Sequence, residues 1–213
     1  MKTHRISNSL SLGAWLCLLA LALGGCGTPG VSTDRQSIES LGGIGSFTWR
    51  GRADYIPGGG LAGTVAALAG GIPESKRAEI RDSGVHDSFA REFVQAFSTV
   101  STAPVRQLDK SKYILAGKDD ERRVDVAATA KAEGFDAILE STVWPTLTER
   151  AGLPYQPSTE VKQLKIAIKL QRLSDSKLLW QDSFAIEAAN QDWNELARTA
   201  ARFAVEKYGK TGK

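Results

Sequence analysis

Three glycines, Gly58, Gly60 and Gly63, stand in G-x-G-x-x-G spacing within YIPGGGLAGTVAALAGGIP, the stretch from Tyr55 to Pro73. That spacing does chemistry where a strand runs into it and a helix leaves it, because the backbone N–H groups then cradle a pyrophosphate. A dinucleotide site further needs a parallel strand soon after the helix and an acidic residue about twenty positions on. The polar ESKRAEIRDS follows instead, so nucleotide binding is not expected. His86 beside Asp87 offers a base, but no positioned serine or cysteine and no oxyanion hole accompany it. Near a helix start it reads as a surface or capping-region residue. With His4 the only other histidine and no H-E-x-x-H, a zinc site is not expected either. Asp119-Asp120-Glu121 and the run from Glu133 to Glu140 carry the side chains of glycoside chemistry, which needs two carboxyl groups held across a cleft. The first three sit where a helix amino terminus favours negative charge in any case. The expectation is no catalytic residue, no metal and no cofactor.

Covalent chemistry is expected earlier in the chain. In MKTHRISNSLSLGAWLCLLALALGGCG, Lys2, His4 and Arg5 precede an apolar run from Leu10 to Leu23, and small residues follow it. This is the layout of an export signal, too short to be a permanent span. Leu23-Gly24-Gly25-Cys26 resembles the bacterial lipobox, in which cleavage between Gly25 and Cys26 leaves the cysteine thiol and new amino terminus to carry acyl chains such as palmitate. Gly27 stands where an aspartate would resemble the inner-membrane retention signal, so the resemblance implies the outer membrane, on its periplasmic face. Two or three acyl chains on one residue anchor a domain stably. Cys17 leaves with the signal and Cys26 is consumed by lipid, so no thiol remains for a disulfide. Removing 25 of 213 residues leaves 188, enough for one domain, and losing Lys2 and Arg5 takes the net charge from +3 to +1. The charge is mixed and no basic block is present, so nucleic acid is not an expected partner.

Residues 26–45, rich in Gly, Ser and Thr, read as a flexible tether. A single periplasmic α/β domain is then expected over 46–208, with the glycine-rich segment at 57–73 and a frayed basic tail at 209–213. FTWRGRADY alternates as a half-buried strand, with Phe47, Trp49, Ala53 and Tyr55 on one side. Val85, Phe89, Phe93, Phe97 and Val100 recur about every four residues and predict a long amphipathic helix capped by Ser83. APVRQL is a short strand. DDERRVDVAATAKAEG is a helix with Val124, Ala127 and Ala128 on one face and Gly134 to stop it. FDAILESTVW is a strand, PTLTERAGLPYQPST a loop, and LKIAIKL with LLWQDSFAIEA a hairpin around SDSK. Trp193, Leu196, Ala200, Phe203 and Ala204 mark a last helix opened by Asp192 and Glu195. The order β-α-β-α-β-β-β-α defines an α/β (α+β) class with a single mixed sheet packed by amphipathic helices.

AATAKAEGFDAILESTV followed by LKIAIKLQRLSDSKLLWQDSF resembles the helix-Gly-strand and closing hairpin of a superfamily of envelope lipoproteins. That superfamily includes the curli secretion channel subunit, the outer-membrane activator of penicillin-binding proteins and the amino-terminal domain of TolB. The resemblance covers Val85 to Tyr208, with Trp180 after the hairpin turn. It implies a non-enzymatic accessory or assembly factor that acts through protein contacts in the envelope. The alternatives are a subunit of an oligomeric outer-membrane secretion channel, which would be a homo-oligomer, and a cell-wall-acting enzyme.

Two segments are then expected to touch partners. The span from Leu61 to Ile72 is about 18 Å long as a helix, against a hydrocarbon core of about 30 Å, and cannot cross alone. Its small residues align, Ala62, Ala66 and Gly70 on one helical line and Gly59, Gly63, Ala67 and Gly71 on the next, a surface that lets another backbone approach. A flexible apolar loop packed over the sheet is the alternative reading. In the proline-rich loop Leu153 and Tyr155 are the contact candidates; Trp144 beside it is the best exposed of Trp49, Trp144, Trp180 and Trp193 for stacking on a glycan, with core packing the alternative for at least two of the four.

Overall fold

Leu164, Ile166, Ile168 and Leu170 place four apolar side chains on one face of a strand, and the sheet is built around it. The computed structural model describes residues 33–58, 74–109, 125–150 and 159–210, all within the unit Ser32–Lys213. The elements are α1 (Arg35–Glu39), β1 (Ile44–Arg50), β2 (Asp54–Ile56), α2 (Glu74–Asp82), α3 (Val85–Ser98), β3 (Val105–Gln107), α4 (Val126–Ala132), β4 (Ala137–Arg150), β5 (Thr159–Arg172), β6 (Leu178–Ala189) and α5 (Trp193–Lys210). One mixed sheet runs β3-β1-β4-β5-β6, with β2 also on β4. β1 lies parallel to β3 and β4, whereas β4, β5 and β6 form an antiparallel meander. This is the expected fold class.

One face of the sheet carries the core. Leu139, Val143 and Leu147 of β4 stand beside Leu164, Ile166, Ile168 and Leu170 of β5, all fully or almost fully buried. Against them lies the α3 stripe Phe89, Phe93 and Phe97, each 0% exposed. α5 contributes the small stripe Ala197, Ala200, Ala201 and Ala204, which lets α3 come close beside it. Phe97 stacks on Trp180 at 5.7 Å, and Tyr208 closes the cluster edge-on to Trp180 at 5.0 Å. Burying each large apolar side chain contributes roughly 1.5–3 kcal/mol. Among the described residues, the opposite face is covered only at one end, where Val126 and Ala130 of α4 meet Phe47, Leu108 and Ile138.

Several local expectations change. FTWRGRADY is two strands, β1 and β2, both on the same flank of β4. ESKRAEIRD is the helix α2; Pro73 followed by an acidic first-turn residue is its start signal. Ser83 does not cap α3. Gly84, at φ 68°, holds that position, while the Ser83 hydroxyl donates to the Ile80 carbonyl at 2.6 Å and accepts from Val85 N–H. In α4 the buried pair is Val126 and Ala130; Ala128 is exposed and Val124 lies outside the described residues. The reason is that Asp125, accepting from Ala128 N–H at 2.9 Å, starts the helix there and sets i, i+4 neighbours inward. Gly134, at φ 85°, ends it as expected. Residues 33–45, read as tether, hold a strand bridge from Thr33 to Trp180, helix α1 and the start of β1. At the other end, α5 continues through Gly209 and Lys210.

The loop PTLTERAGLPYQPST also shortens, since its first six residues complete β4 through Pro145 to Arg150. A proline is tolerated there for a stated reason. Strand residues turn their backbone groups to alternate flanks, and the Val143 carbonyl accepts from Gly51 N–H at 2.8 Å. Residue 145 therefore faces the same flank, where β1 has ended and β2 has not begun, and no ladder bond is lost. Trp144 closes this gap by lying against Gly51, whose hypothetical Cβ would come within 2.3 Å of the indole.

Gly51→Ala is expected to cost about 1–3 kcal/mol by forcing that ring aside, read as a lower urea midpoint at unchanged slope. Trp144→Ala should absorb most of the cost in the double variant, and strict additivity would show that the two residues do not meet. A second expectation concerns Asp34, which caps α1. Its hydrogen bond from Lys177 and then that from Ser37 N–H lower its carboxyl from 3.8 to about 2. A lowered value makes the contact fully stabilising above 3.8 and lost as pH falls through about 2. The Ser37 amide resonance should titrate with a midpoint near the lower value, and Lys177→Met should return it toward the higher.

Candidate contact surface

The helices α3 and α5 run parallel. Ser88 Oγ donates to Asn194 Oδ1 at 2.5 Å near their starts, Arg202 Nε donates to Glu92 Oε1 at 2.9 Å further along, and Phe97 meets Tyr208 near their ends. The sheet thus has two unlike ends. At the first end the chain comes in from the tether: Asp34 N–H donates to the Leu179 carbonyl, and Arg35 Nη2 donates to the Tyr208 and Gly209 carbonyls at 2.9 and 2.7 Å, satisfying the carboxyl terminus of α5. At the second end lie the amino termini of α3 and α5, strand β2, helix α2 and the far part of the β4–β5 arm.

That far end is held by one lysine. Glu149 and Glu160 sit directly opposite each other across β4 and β5, a like-charge pairing that is unfavourable alone. Lys76 Nζ of α2 lies 2.7 Å from Glu160, 3.3 Å from Glu79 and 3.8 Å from Glu149. The Glu160 hydrogen bond raises the Lys76 pKa above its usual value despite the opposing effect of burial. Burial, and next the hydrogen bond with Glu149, raise that of Tyr55 on β2. α2, β2 and the hairpin are thereby tied together. Ile56, the last residue of β2, stands 53% exposed beside them.

The described flanks of both expected contact segments emerge here: Ile56 and Glu74 around one, Arg150 and Thr159 around the other. Gly59, Ala62, Gly63, Ala66, Gly70, Leu153 and Tyr155 themselves lie outside the described residues, as do Gly25 and Cys26. Trp144 is half-buried over Gly51. His86, expected at the surface, is buried at the start of α3, and Asp87 reaches Arg50 at 3.4 Å. Glu140 accepts from Trp49 Nε1 at 2.9 Å while Glu133 pairs with Arg106 at 3.8 Å; Asp119 to Glu121 are not described. Trp180 and Trp193 are core residues. Among the described residues no group of three His, Cys, Asp or Glu is placed to hold a metal ion, and no helix is long and apolar enough to cross a membrane. The Lys76 cluster was missed in the sequence because its partners lie more than seventy residues away; only the Lys76–Glu79 spacing is a local sign of it.

The arrangement defines an α/β domain with a helical layer on one sheet face. No protein-family profile matches the chain, and no curated protein matches it in sequence. Among solved structures it is similar to the PelC dodecamer of Paraburkholderia phytofirmans at 8% identity and a TM-score of 0.39, over 77% of this chain and 84% of that one. It is similar to lipoprotein GNA1162 of Neisseria meningitidis at 17% identity and a TM-score of 0.33, over 79% and 99%. The LpoB C-terminal domain of Salmonella enterica aligns at 12% identity and a TM-score of 0.26, over 80% and 93%.

Lys76→Met is expected to destabilise the domain by about 1 kcal/mol or less by leaving Glu149 and Glu160 opposed. Adding Glu160→Gln should recover most of that loss in urea unfolding. Equal stability of wild type and Lys76→Met would remove the clamp from the account.

Proposed function

We propose that this protein is an outer-membrane lipoprotein, anchored through acylated Cys26 on the periplasmic face, that serves as a non-enzymatic accessory or assembly factor through protein contacts. The single observation that carries this reading is the two-ended construction of the domain. Thr33 and Asp34 tie the tether to one end of the sheet. Both segments whose composition favours contacts depart from the other, beyond strands of 14 residues that span about 46 Å. Thr33 lies seven positions after Cys26, a reach of about 25 Å at full extension. A short leash at one end and a clamped, partly apolar surface at the other suit a protein that reaches from a lipid layer to a partner.

A photo-crosslinking residue at Ile56 is expected to capture an envelope protein in intact cells, and one at exposed Ser174, at the tether end, is not. Ile56→Asp should abolish capture of that protein by a crosslinker at Asp54, and Cys26→Ser should move the protein out of the membrane fraction and reduce capture. Adducts only at Ser174, or membrane residence unchanged in Cys26→Ser, would overturn the reading. Capture of a second copy at Ile56 would replace it with the channel-subunit alternative.

A further inference from the structure

Among the described residues, the sheet face away from α3 and α5 is roofed only in part, by α4. Beyond that helix the alternating side chains of β4, β5 and β6 form the floor of an open trough of about 540 Å³, walled by Trp49 of β1 and by the start of α4. From this trough we infer a binding site for a neutral glycan chain.

The aromatic wall is set before any ligand arrives. Trp49 stands edge-on to Phe47 at 4.6 Å, and its Nε1–H donates to Glu140 Oε1 at 2.9 Å. The indole is half-buried and fixed at two points, so stacking on it costs little further side-chain entropy. Its polar atom is satisfied and the ring offers C–H and π surface, which suits the apolar face of a pyranose ring. The floor is polar: Thr142, Lys169, Gln181 and Ser183 join Glu140 there. These supply hydroxyl, amide, ammonium and carboxylate groups able to bond hydroxyls as donors and acceptors alike. The volume lies within the range of small-molecule sites.

Charge selects among ligands. Among the described residues that line the trough, Lys169 is the one cation, while Glu140, Asp125 and Asp182 are carboxylates. Asp182 is committed to Lys207 at 2.9 Å and Asp125 to the start of α4. A polyphosphate or a strongly acidic polymer would meet as much repulsion as attraction. An apolar ligand would leave the floor's polar groups without partners, at a cost. A chain of uncharged hydroxylated rings meets neither penalty. The site lies on a different surface from the proposed protein contact and stands or falls separately from it.

The test uses the full-length lipidated protein in a detergent without sugar headgroups, titrated by calorimetry with hexasaccharides of glucose in two linkages and of N-acetylglucosamine. At least one should bind, with affinity lowered about tenfold by Trp49→Ala and about fivefold by Gln181→Ala. Gln181 is exposed, so its variant keeps the test open if Trp49→Ala fails to fold. Phe203→Ala, on the outer side of the helical layer, should leave affinity unchanged. No binding of any of the three at millimolar concentration, binding indifferent to Gln181→Ala, or tighter binding of a sulfated than of a neutral hexasaccharide would each overturn the inference.

Discussion

The domain depends on one apolar seam, where the large stripe Phe89, Phe93 and Phe97 of α3 and the small stripe of alanines on α5 cover one face of the sheet, α3 against β1 and β3 and α5 against β5 and β6. Large against small is what lets two parallel helices share one sheet face. If both stripes were large the helices would separate and Trp180 would lose its stacking partner Phe97. Because the helices are parallel, their amino termini fall at one end of the sheet and their carboxyl termini at the other. That polarity is inherited by everything attached. Arg35 finds the Tyr208 and Gly209 carbonyls near the end of α5 where the chain comes in, and the opposite end is left with the two amino termini and the hairpin arm.

β4 is the second constraint, because it is asked to do different things on its two flanks. Toward β5 it makes an unbroken antiparallel ladder of 14 residues. Toward β1 and β2 it makes two short parallel ladders with a gap between. The gap is where Pro145 loses nothing by lacking an N–H and where Gly51 admits the Trp144 ring. It also divides the strand into a part paired with β1 and a far arm that needs another fastening. Lys76 provides that fastening through charge, placing one cation between two opposed carboxylates at the far part of the arm.

What was legible in the sequence follows the range of the interactions involved. The closing hairpin was readable because Leu164 to Leu170 alternate against lysines whatever their neighbours are. The helix α3 was readable because its three phenylalanines repeat at helical spacing. Asp192 and Gly134 act on residues within a turn of themselves, so the cap and the stop could be read as local chemistry, whereas the cap by Asp125 was missed because the acidic run before it already looks like a helix start. Pro145 was misread because the rule against proline in an interior strand concerns the neighbouring strand, and the gap that suspends it belongs to residues 51–53. FTWRGRADY looked like one strand for the same reason, since alternation continues through residues that have left the ladder. The burial of His86 depends on what packs over the start of α3, which spacing does not encode. Of the contact surface, the sequence marked two segments by composition. It gave no sign that their flanks emerge together, because that is set by β2 pairing with β4 and by Lys76 reaching the arm.

The two faces of the sheet also differ in kind, and the difference bears on function more than the core does. Where no described helix lies over the sheet, its alternate positions carry Thr142, Lys169, Gln181 and Ser183, whereas the other face carries valine, isoleucine and tryptophan. Polar side chains make such a face soluble without ordering any one of them. Trp49 is the departure from that pattern. Its indole N–H donates a hydrogen bond to Glu140 and the ring makes an edge contact to Phe47 while staying only half-buried. A side chain placed only for solubility would not be aromatic, and one placed only for the core would be covered by α4 as Phe47 is. The physical case for a recognition surface therefore rests on the position of Trp49, at the boundary where the roofed part of the sheet gives way to the open part.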